Sequence, residues 1–434
     1  MFSRATLGRI MKTLVGGVAV LTLTAFLYLQ LATVRTTLAE LWGGPQPAAV
    51  FFVESVDPDQ LRNLYQARAL AMTQSASSSA PKEKAVPSAR KIRILIVPGH
   101  EPQSGGTEFN GVYERDIVVD IAQHLALLLS ANPNYEVMVA RGKEAWDSTL
   151  ETYFETHAGD IDTFRRSQIE LMQRHVSDGL ILPEADQVYH ETAPTEIALH
   201  LYGINRWASE NHYDIVLHLH INDYGSRRAH AVGKYDGFAV YVPDHQYSNA
   251  RASREIGESI AARLNAYHAT STVPGESGGT IPDQELIAVG SNNSVDSAGV
   301  LIEYGYIYEP QFRHRDVRTI ATYDYAYETY LGIQDFFGDP ISSRTGFPAF
   351  PASWDRVSVS DGEHGKGIYS LQAALRYLGN YPPRGKSLSD CPISGAAGTC
   401  TRLAIKQYQE AHGLETTGTL GPLTRKTLSQ DLVP

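Results

Sequence analysis

Four polar residues stand where an α/β sheet could bring their side chains together. His100 ends the run RILIVPGH, His220 ends DIVLHLH, Glu303 ends VLIE, and Glu114 opens a helical segment. In an open α/β sheet, ligands bind beyond the carboxyl ends of the strands, so we expect these side chains near one edge. Two imidazoles and one carboxylate are a ligand set of catalytic zinc, which keeps one position open for water. The remaining carboxylate would then transfer protons.

Each of these residues alone has a simpler interpretation. A single histidine at a strand end is commonly a hydrogen-bonded, partly buried residue. Glu114 could be a first-turn acid that the helix dipole favours. Glu303, however, follows Val300-Leu301-Ile302 in an apolar strand, where an unpaired buried carboxylate is costly. The four residues together therefore predict a metal site more strongly than any one of them does.

The elements that must position these residues alternate between strands and helices. A stripe of apolar residues at helical spacing predicts a helix from Glu114 to Ser130. Such alternation is typical of an α/β fold, and we expect a mixed sheet flanked by helices. The other predicted elements are strands at Ile92–Val97, Tyr135–Val139, Ile215–Leu219, Gly237–Val242 and Val300–Tyr304, and a helix at Ala252–Ala266.

The composition excludes several classes of protein. The 434 residues include 48 acidic and 37 basic side chains, and the net charge of −11 argues against a nucleic-acid partner. A hydrophobic content of 43% indicates a globular chain, and two cysteines are too few for a disulfide-rich scaffold. The length suggests about three structural units.

The N-terminal segment predicts export. Arg4, Arg9 and Lys12 precede an uncharged run from Thr13 to Val34, which is long enough to span a bilayer with its positive flank in the cytoplasm. A removed signal peptide is the alternative, but the run is longer than a usual signal core. We therefore expect a single-pass anchor in the cell membrane, with the remaining domains on the extracytoplasmic side, in the periplasm or cell wall.

Shifts in composition divide the chain into five predicted parts. Ser, Pro, Ala and Lys over 73–90, and Pro and Gly near 338–351, indicate linkers that cannot bury enough surface to fold. Many acidic residues and weak periodicity over about 142–198 predict an insertion in the α/β domain. The parts are a cytoplasmic tip and transmembrane anchor (1–36), a stem and linker (37–90), the α/β domain (91–337), a second linker (338–366) and a small C-terminal three-helix domain (367–434).

The α/β domain contains, in order, the segments PGHEPQSGGTEFNGVYERDIVVDIAQHL, LHLHIND and VLIEYGYI. These three segments resemble the motifs of the zinc-dependent N-acetylmuramoyl-L-alanine amidases (the amidase type 3 family). The resemblance implies that His100, Glu114 and His220 bind one zinc ion and that Glu303 is the catalytic carboxylate. It also implies hydrolysis of the amide between N-acetylmuramic acid and L-alanine in peptidoglycan, as part of cell wall remodelling. Whether a protein activator is needed stays open.

The chain departs from the family pattern near two of the motifs. Val97 replaces the usual acid before Pro-Gly-His, Glu101 replaces a small residue after it, and His218 stands where Ser is usual. By the two-residue period of a strand, His218 and His220 share a face, so either could approach a metal. Asn222 matches the family motif after His220, so we expect His220 to be the ligand. His218 and Asn222 are candidates for supporting the ligands, and His218 alternatively only packs.

The C-terminal unit contains, in order, Leu371-Gln372, Tyr408-Gln409, Gly413-Leu414, and Gly418 with Thr424. These residues resemble the motifs of the small three-helix peptidoglycan-binding domain. The alternative is a helical bundle without a ligand, and the order of the motifs favours the binding domain.

Cys391 and Cys400 both lie in this unit, and export predicts a disulfide between them. Two free buried thiols are the alternative.

Other functions stay open on the sequence alone. The pair His218 and His220 could indicate a zinc peptidase that cuts within the stem peptide, although the chain lacks a His-Glu-x-x-His segment. A non-catalytic scaffold that binds the cell wall is a further alternative.

The insertion could inhibit the enzyme by placing Glu151 or Glu155, which are spaced four residues apart, on the zinc. A surface lobe without that role is the alternative.

Overall fold

The computed structural model describes residues 55–77, 90–184, 193–290, 294, 296–339 and 357–432. The predicted anchor from Thr13 to Val34 lies outside these ranges, as do residues 78–89 and 340–356 of the two predicted linkers. Of the helices within the described ranges, none has both the length and the apolar composition that crossing a membrane requires.

The described ranges contain the predicted strands and helices of the α/β domain in their predicted order, together with further elements that the sequence did not indicate. The helices are α1 (Pro58–Ser77), α2 (Glu114–Ser130), α3 (Ser148–Thr156), α4 (Ala158–Ser177), α5 (Thr195–Glu210), α6 (Ala250–Tyr267), α7 (Pro310–Arg313), α8 (Arg315–Phe337), α9 (Lys366–Tyr377), α10 (Thr399–Ala411) and α11 (Pro422–Asp431). The strands are β1 (Ile92–Pro98), β2 (Glu108–Phe109), β3 (Val112–Tyr113), β4 (Tyr135–Val139), β5 (Ile215–Asn222), β6 (Ala239–Pro243), β7 (Thr280–Asp283) and β8 (Ala298–Tyr306).

A six-stranded sheet in the order β4-β1-β5-β8-β6-β7 forms the centre of the α/β domain. Strands β4, β1, β5 and β8 are parallel, whereas β6 is antiparallel to β8. The sheet is therefore mixed, as predicted. Because β1, β5 and β8 are parallel neighbours, their carboxyl ends lie side by side. The chain thus brings His100, His220 and Glu303 to one edge of the sheet.

Helices cover both faces of this sheet. Alternate residues of a strand point to opposite faces, and in β1 Ile94 joins a core with α2, α6 and α8, whereas Leu95 joins a second core. The second core contains Phe154 of α3 and Tyr202 of α5, which belong to the predicted insertion or adjoin its end. The insertion is therefore not a surface lobe, and α5 continues past the predicted limit at residue 198. Helices α3 and α4 bury only three residues each, so their apolar periodicity was weak.

The predicted stem contains a helix that packs against the α/β domain. The ring of Tyr65 in α1 stacks on Phe337 with 4.7 Å between centroids, and Arg62 forms an ion pair with Glu255 at 2.6 Å. Leu61 is also buried in the main core. The packed body therefore begins well before the predicted boundary at residue 91, because a few apolar residues in a polar segment suffice to dock a helix.

The C-terminal unit consists of α9, α10 and α11, and the glutamines of its motif are buried. Gln372 Oε1 accepts a hydrogen bond from Ser394 N at 2.9 Å. Gln409 Oε1 accepts one from Gly418 N, and its Nε2 donates to Thr424 Oγ1, both at 2.9 Å. These side chains satisfy buried polar groups in the loops, so the motif residues hold this fold together.

This unit packs on α8 of the α/β domain. The Tyr369 hydroxyl donates a hydrogen bond to the buried Asp324, and the Lys366 backbone N–H donates to Asp316 at 3.1 Å. The guanidinium of Arg376 in α9 donates to the carbonyl of Ala266 at 2.6 Å. Polar contacts from both ends of α9 therefore hold the unit against the α/β domain.

Cys391 and Cys400 form a disulfide, which confirms the predicted pairing. Replacing both with Ala should lower the free energy of unfolding by about 2 to 4 kcal/mol, because the bond restricts the unfolded chain. Denaturant titration of the full chain would measure the loss, with the exposed Ser389→Ala in the same loop as control. An unchanged unfolding midpoint would contradict the expectation.

Candidate metal centre

His100 lies just beyond the end of β1 in an unusual backbone conformation. Its φ is 67°, a region that residues other than glycine seldom adopt. The preceding residue, Gly99, lies against the ring of His220, and a Cβ at position 99 would come within 2.3 Å of that ring. A glycine is therefore required here so that the loop after β1 can approach the end of β5.

Glu114, the first residue of α2, lies at the centre of the site with its side chain 4% exposed. Its Oε2 accepts a hydrogen bond from Thr107 N at 2.9 Å, and its Oε1 accepts one from Ile221 N at 3.0 Å. The same Oε1 lies 2.8 Å from His100 Nε2 and 3.2 Å from His220 Nδ1. Two backbone donors and two imidazoles thus surround one buried carboxylate.

The surroundings of Glu114 and His220 determine the charge of each side chain. Burial by itself raises the pKa of Glu114, but the hydrogen bonds from His100 and His220 outweigh it and hold the pKa well below its usual range. Burial lowers the pKa of His220, against the hydrogen bond to Glu114. An ionised carboxylate and a neutral imidazole are the forms that bind metals.

The structure brings three of the predicted residues to metal-binding spacing. Ligand atoms of His100, Glu114 and His220 all lie within 4.8 Å of one another. Two imidazole nitrogens and one carboxylate oxygen are the donor set of several catalytic zinc sites, so the residues present fit that metal. The donors come from the ends of β1 and β5 and from the start of α2.

Glu303 stands on β8 directly opposite His220 in the sheet register. Its Oε2 is buried and has no hydrogen-bond partner among the residues that the structure describes. Burial, followed by the negative charges of Glu114 and Glu276, raises the pKa of Glu303 well above its usual value. A carboxyl group with a perturbed pKa beside a ligand set is typical of a residue that transfers protons.

His218 and Asn222 lie on β5 but do not join the ligand group. His218 is 1% exposed and is paired with Val97 and Leu301 on the neighbouring strands. Burial lowers the pKa of His218 to about 3, so the ring is neutral. Asn222 Oδ1 accepts a hydrogen bond from Asp223 N at 2.7 Å. These contacts favour packing for His218, whereas the Asn222 side chain bonds to the backbone just past the end of β5.

Sequence reasoning missed Arg141, which follows β4 at the same edge of the sheet. Its side chain is 2% exposed, and its Nε donates to the carbonyl of Pro98 at 3.1 Å. Burial lowers the pKa of Arg141 to about 10, while nearby acidic residues oppose that shift. We expected functional residues at strand ends, and the same reasoning applied to Tyr135–Val139 would have indicated Arg141.

Glu101, noted as a departure from the family pattern, connects the His100 loop to the insertion. Its Oε1 lies 2.9 Å from His200 Nδ1, and its Oε2 accepts a hydrogen bond from Trp146 Nε1 at 3.1 Å. Both partners also line a cavity of about 230 Å³ that extends to His100 and His220. The insertion region therefore forms a wall beside the candidate metal centre.

The structure does not bring Glu151 or Glu155 to the ligand group. Glu151 lines a groove of about 700 Å³ beside Glu101, and Glu155 is exposed on α3. The hypothesis that either of them coordinates the metal therefore gains no support from their positions.

A second group of possible ligands consists of Glu184, Asp244 and His245. Glu184 and His245 are exposed, and Asp244 Oδ1 already accepts a hydrogen bond from Gln246 N at 3.0 Å. The first group is the better candidate, because its carboxylate is buried between both imidazoles.

The fold and the site define an α/β domain with a candidate metal centre of two histidines and one carboxylate. Residues 94–335, more than half of the chain, match the family model described as N-acetylmuramoyl-L-alanine amidase. The chain therefore belongs to the N-acetylmuramoyl-L-alanine amidase family, and it is a peptidoglycan amidase. Residues 364–428 match a putative peptidoglycan binding domain.

Solved structures of such amidases are similar to this chain. The amidase of Mycobacterium smegmatis is 15% identical with a TM-score of 0.38, over 57% of this chain and 98% of that one. The CwlD amidase of Clostridioides difficile is 16% identical with a TM-score of 0.38, over 57% and 99%. These TM-scores are below 0.5, so the family assignment rests on the sequence match. The comparison with curated proteins gives no match.

Substituting Gly99 with Ala should displace the ring of His220, since the new Cβ would lie 2.3 to 2.6 Å from three of its ring atoms. We expect metal affinity to fall by about tenfold to hundredfold, as for other groups that orient ligands. Metal titration with circular dichroism would separate this loss from unfolding. Gly159→Ala, where a Cβ meets nothing within 4 Å, is the control. Unchanged affinity in Gly99→Ala would contradict the close approach.

Proposed function

We propose that the chain hydrolyses the amide between N-acetylmuramic acid and L-alanine in peptidoglycan, with one zinc ion held by His100, Glu114 and His220. The observation that carries the proposal is the buried Glu114 carboxylate, whose Oε1 faces a nitrogen of each imidazole. When bound, zinc would supply a Lewis acid that polarises the scissile carbonyl and makes a water molecule more acidic.

Glu303 would move the protons of this reaction. Its place opposite His220 brings its carboxyl group beside the ligands, and its buried Oε2 lacks a partner among the described residues. Amide hydrolysis needs a base that removes a proton from water and an acid that protonates the leaving amine, and one carboxyl group can do both in turn. A nearby cation would counter the burial that favours the protonated form of Glu303.

The surroundings of the site suit a polymeric substrate. The cavity beside His100 and His220 shares Glu101, Trp146 and His200 with the larger, open groove at the insertion. A long chain could therefore reach the metal centre along the surface. The C-terminal domain would hold peptidoglycan, and its packing on α8 would keep the polymer close to the catalytic domain.

We also propose that the chain is anchored in the cell membrane by the run from Thr13 to Val34, with its domains on the extracytoplasmic side. The peptidoglycan substrate and the Cys391–Cys400 disulfide support export, because disulfides persist in oxidising compartments. Cell fractionation with alkaline extraction tests the anchor. Retention in the membrane pellet is expected, and release into the soluble fraction would contradict it.

Digestion of purified peptidoglycan by the full chain tests the reaction. We expect new L-alanine amino termini, bound zinc in about a one-to-one ratio, and loss of activity after chelation that added zinc restores. Glu303→Gln should keep bound zinc and lower the rate by at least about a hundredfold, since proton transfer is lost. Mass spectrometry of the products and metal analysis provide the measurements.

The same digestion separates the other functions. Cleavage within the stem peptide would indicate a zinc peptidase, and absence of both zinc and cleavage would indicate a wall-binding scaffold. Glu258→Gln is the matched control. Glu258 is an exposed glutamate on α6 that pairs with Arg254, and neither residue is near the four site residues in sequence. Its rate should equal that of the wild type.

A further inference from the structure

Arg141 is a buried cation whose donors all go to backbone carbonyl oxygens. Its Nε donates to Pro98 O at 3.1 Å, its Nη1 to Gly142 O at 2.9 Å, and its Nη2 to the carbonyls of Gly99 and Arg115. No carboxylate of the described residues lies within ion-pair distance of it. Since a buried charge is costly, a cation that binds only backbone needs an explanation beyond ion pairing.

Two of these carbonyls flank two of the candidate zinc ligands. Gly99 directly precedes His100, and Arg115 directly follows Glu114. The same nitrogen, Nη2 of Arg141, donates to both. One planar group therefore joins the loop after β1 to the first turn of α2, at the residues next to the ligands.

The position of His220, the third candidate ligand, also depends on Gly99. Gly99 lies against the ring of His220, and its backbone N–H donates to Leu219 O at 2.8 Å. A movement of Gly99 would thus change the position of His100 along the chain and the space available to His220. Arg141 Nη2 donates to the carbonyl of this same glycine.

We propose that Arg141 is a positioning residue that sets the spacing of His100 and Glu114 and thereby the affinity of the site for zinc. This inference rests on the proposed zinc site. The guanidinium suits the task because it is planar, always charged and carries five donors in a fixed fork, whereas the ammonium of lysine is a compact point charge. Groups that orient metal ligands usually contribute about tenfold to hundredfold in affinity.

The full chain carrying Arg141→Lys tests the inference. We expect its dissociation constant for zinc, measured by competition with a chromophoric chelator, to rise by at least about tenfold. We also expect the visible spectrum of the cobalt-substituted protein to change in intensity, because the ligand geometry changes. A purely structural role would lower the unfolding temperature and leave both of these readouts unchanged.

Arg263→Lys is the matched control. Arg263 on α6 donates through its fork to the carboxylate of Asp335 on α8, so the substitution changes the same side-chain chemistry at a site that joins two helices and contains no candidate ligand. It should lower stability without changing zinc affinity. If Arg141→Lys gives no folded protein, Arg141→Gln, which keeps two N–H donors, carries the same comparison.

The outcomes separate this inference from the proposed function. If the wild type binds no zinc, the proposed zinc site itself is wrong. If the wild type binds zinc and Arg141→Lys binds it equally well with an unchanged cobalt spectrum, only the positioning role is wrong. Weaker binding in Arg141→Lys, together with wild-type binding in Arg263→Lys, supports the inference.

Discussion

A carboxylate buried in a protein interior has to be compensated, and the catalytic domain is arranged around one such group. Glu114 is compensated by the N–H groups of Thr107 and Ile221 and by the rings of His100 and His220. These partners come from the loop after β1 and from the end of β5, so the carboxylate joins two strand ends to the start of α2. Glu114 and the two rings form the site that would hold a cation, which would relieve the uncompensated part of the charge.

Backbone geometry makes this convergence possible. Gly99 lets the loop approach His220, and the register between β5 and β8 shifts after His220, where Gly305 has a φ of 144°. Arg141 donates hydrogen bonds to the carbonyls of Pro98 and Gly99 at the start of this loop. The insertion adds a wall through Glu101, His200 and Trp146. Residues outside the candidate ligand group therefore set the shape of the site, through close backbone approach and through hydrogen bonds.

How well an element could be predicted from the sequence depended on how far apart along the chain its interacting residues lie. The bounds of α2 and β4 agreed with prediction because the apolar pattern within each element defines it. Helix α1 and the helices of the insertion were missed because each buries only a few residues, against partners elsewhere in the chain. The pair of Glu101 and His200 spans 99 positions, so no local pattern could have indicated it. The motif glutamines of the C-terminal domain were recognised by order, and the structure shows their hydrogen bonds within the fold.

The sequence by itself determined the kinds of donor, their order along the chain and the strands that carry them, because these follow from local hydrophobic patterns and motif order. The motif match favoured His220 over His218, which shares its face of β5, and only the tertiary structure shows how differently the two rings are placed. His218 lies within the sheet between Val97 and Leu301, and His220 lies at the open edge beside Glu114. The difference is depth along the strand, which depends on the register with the neighbouring strands and so on residues distant in sequence.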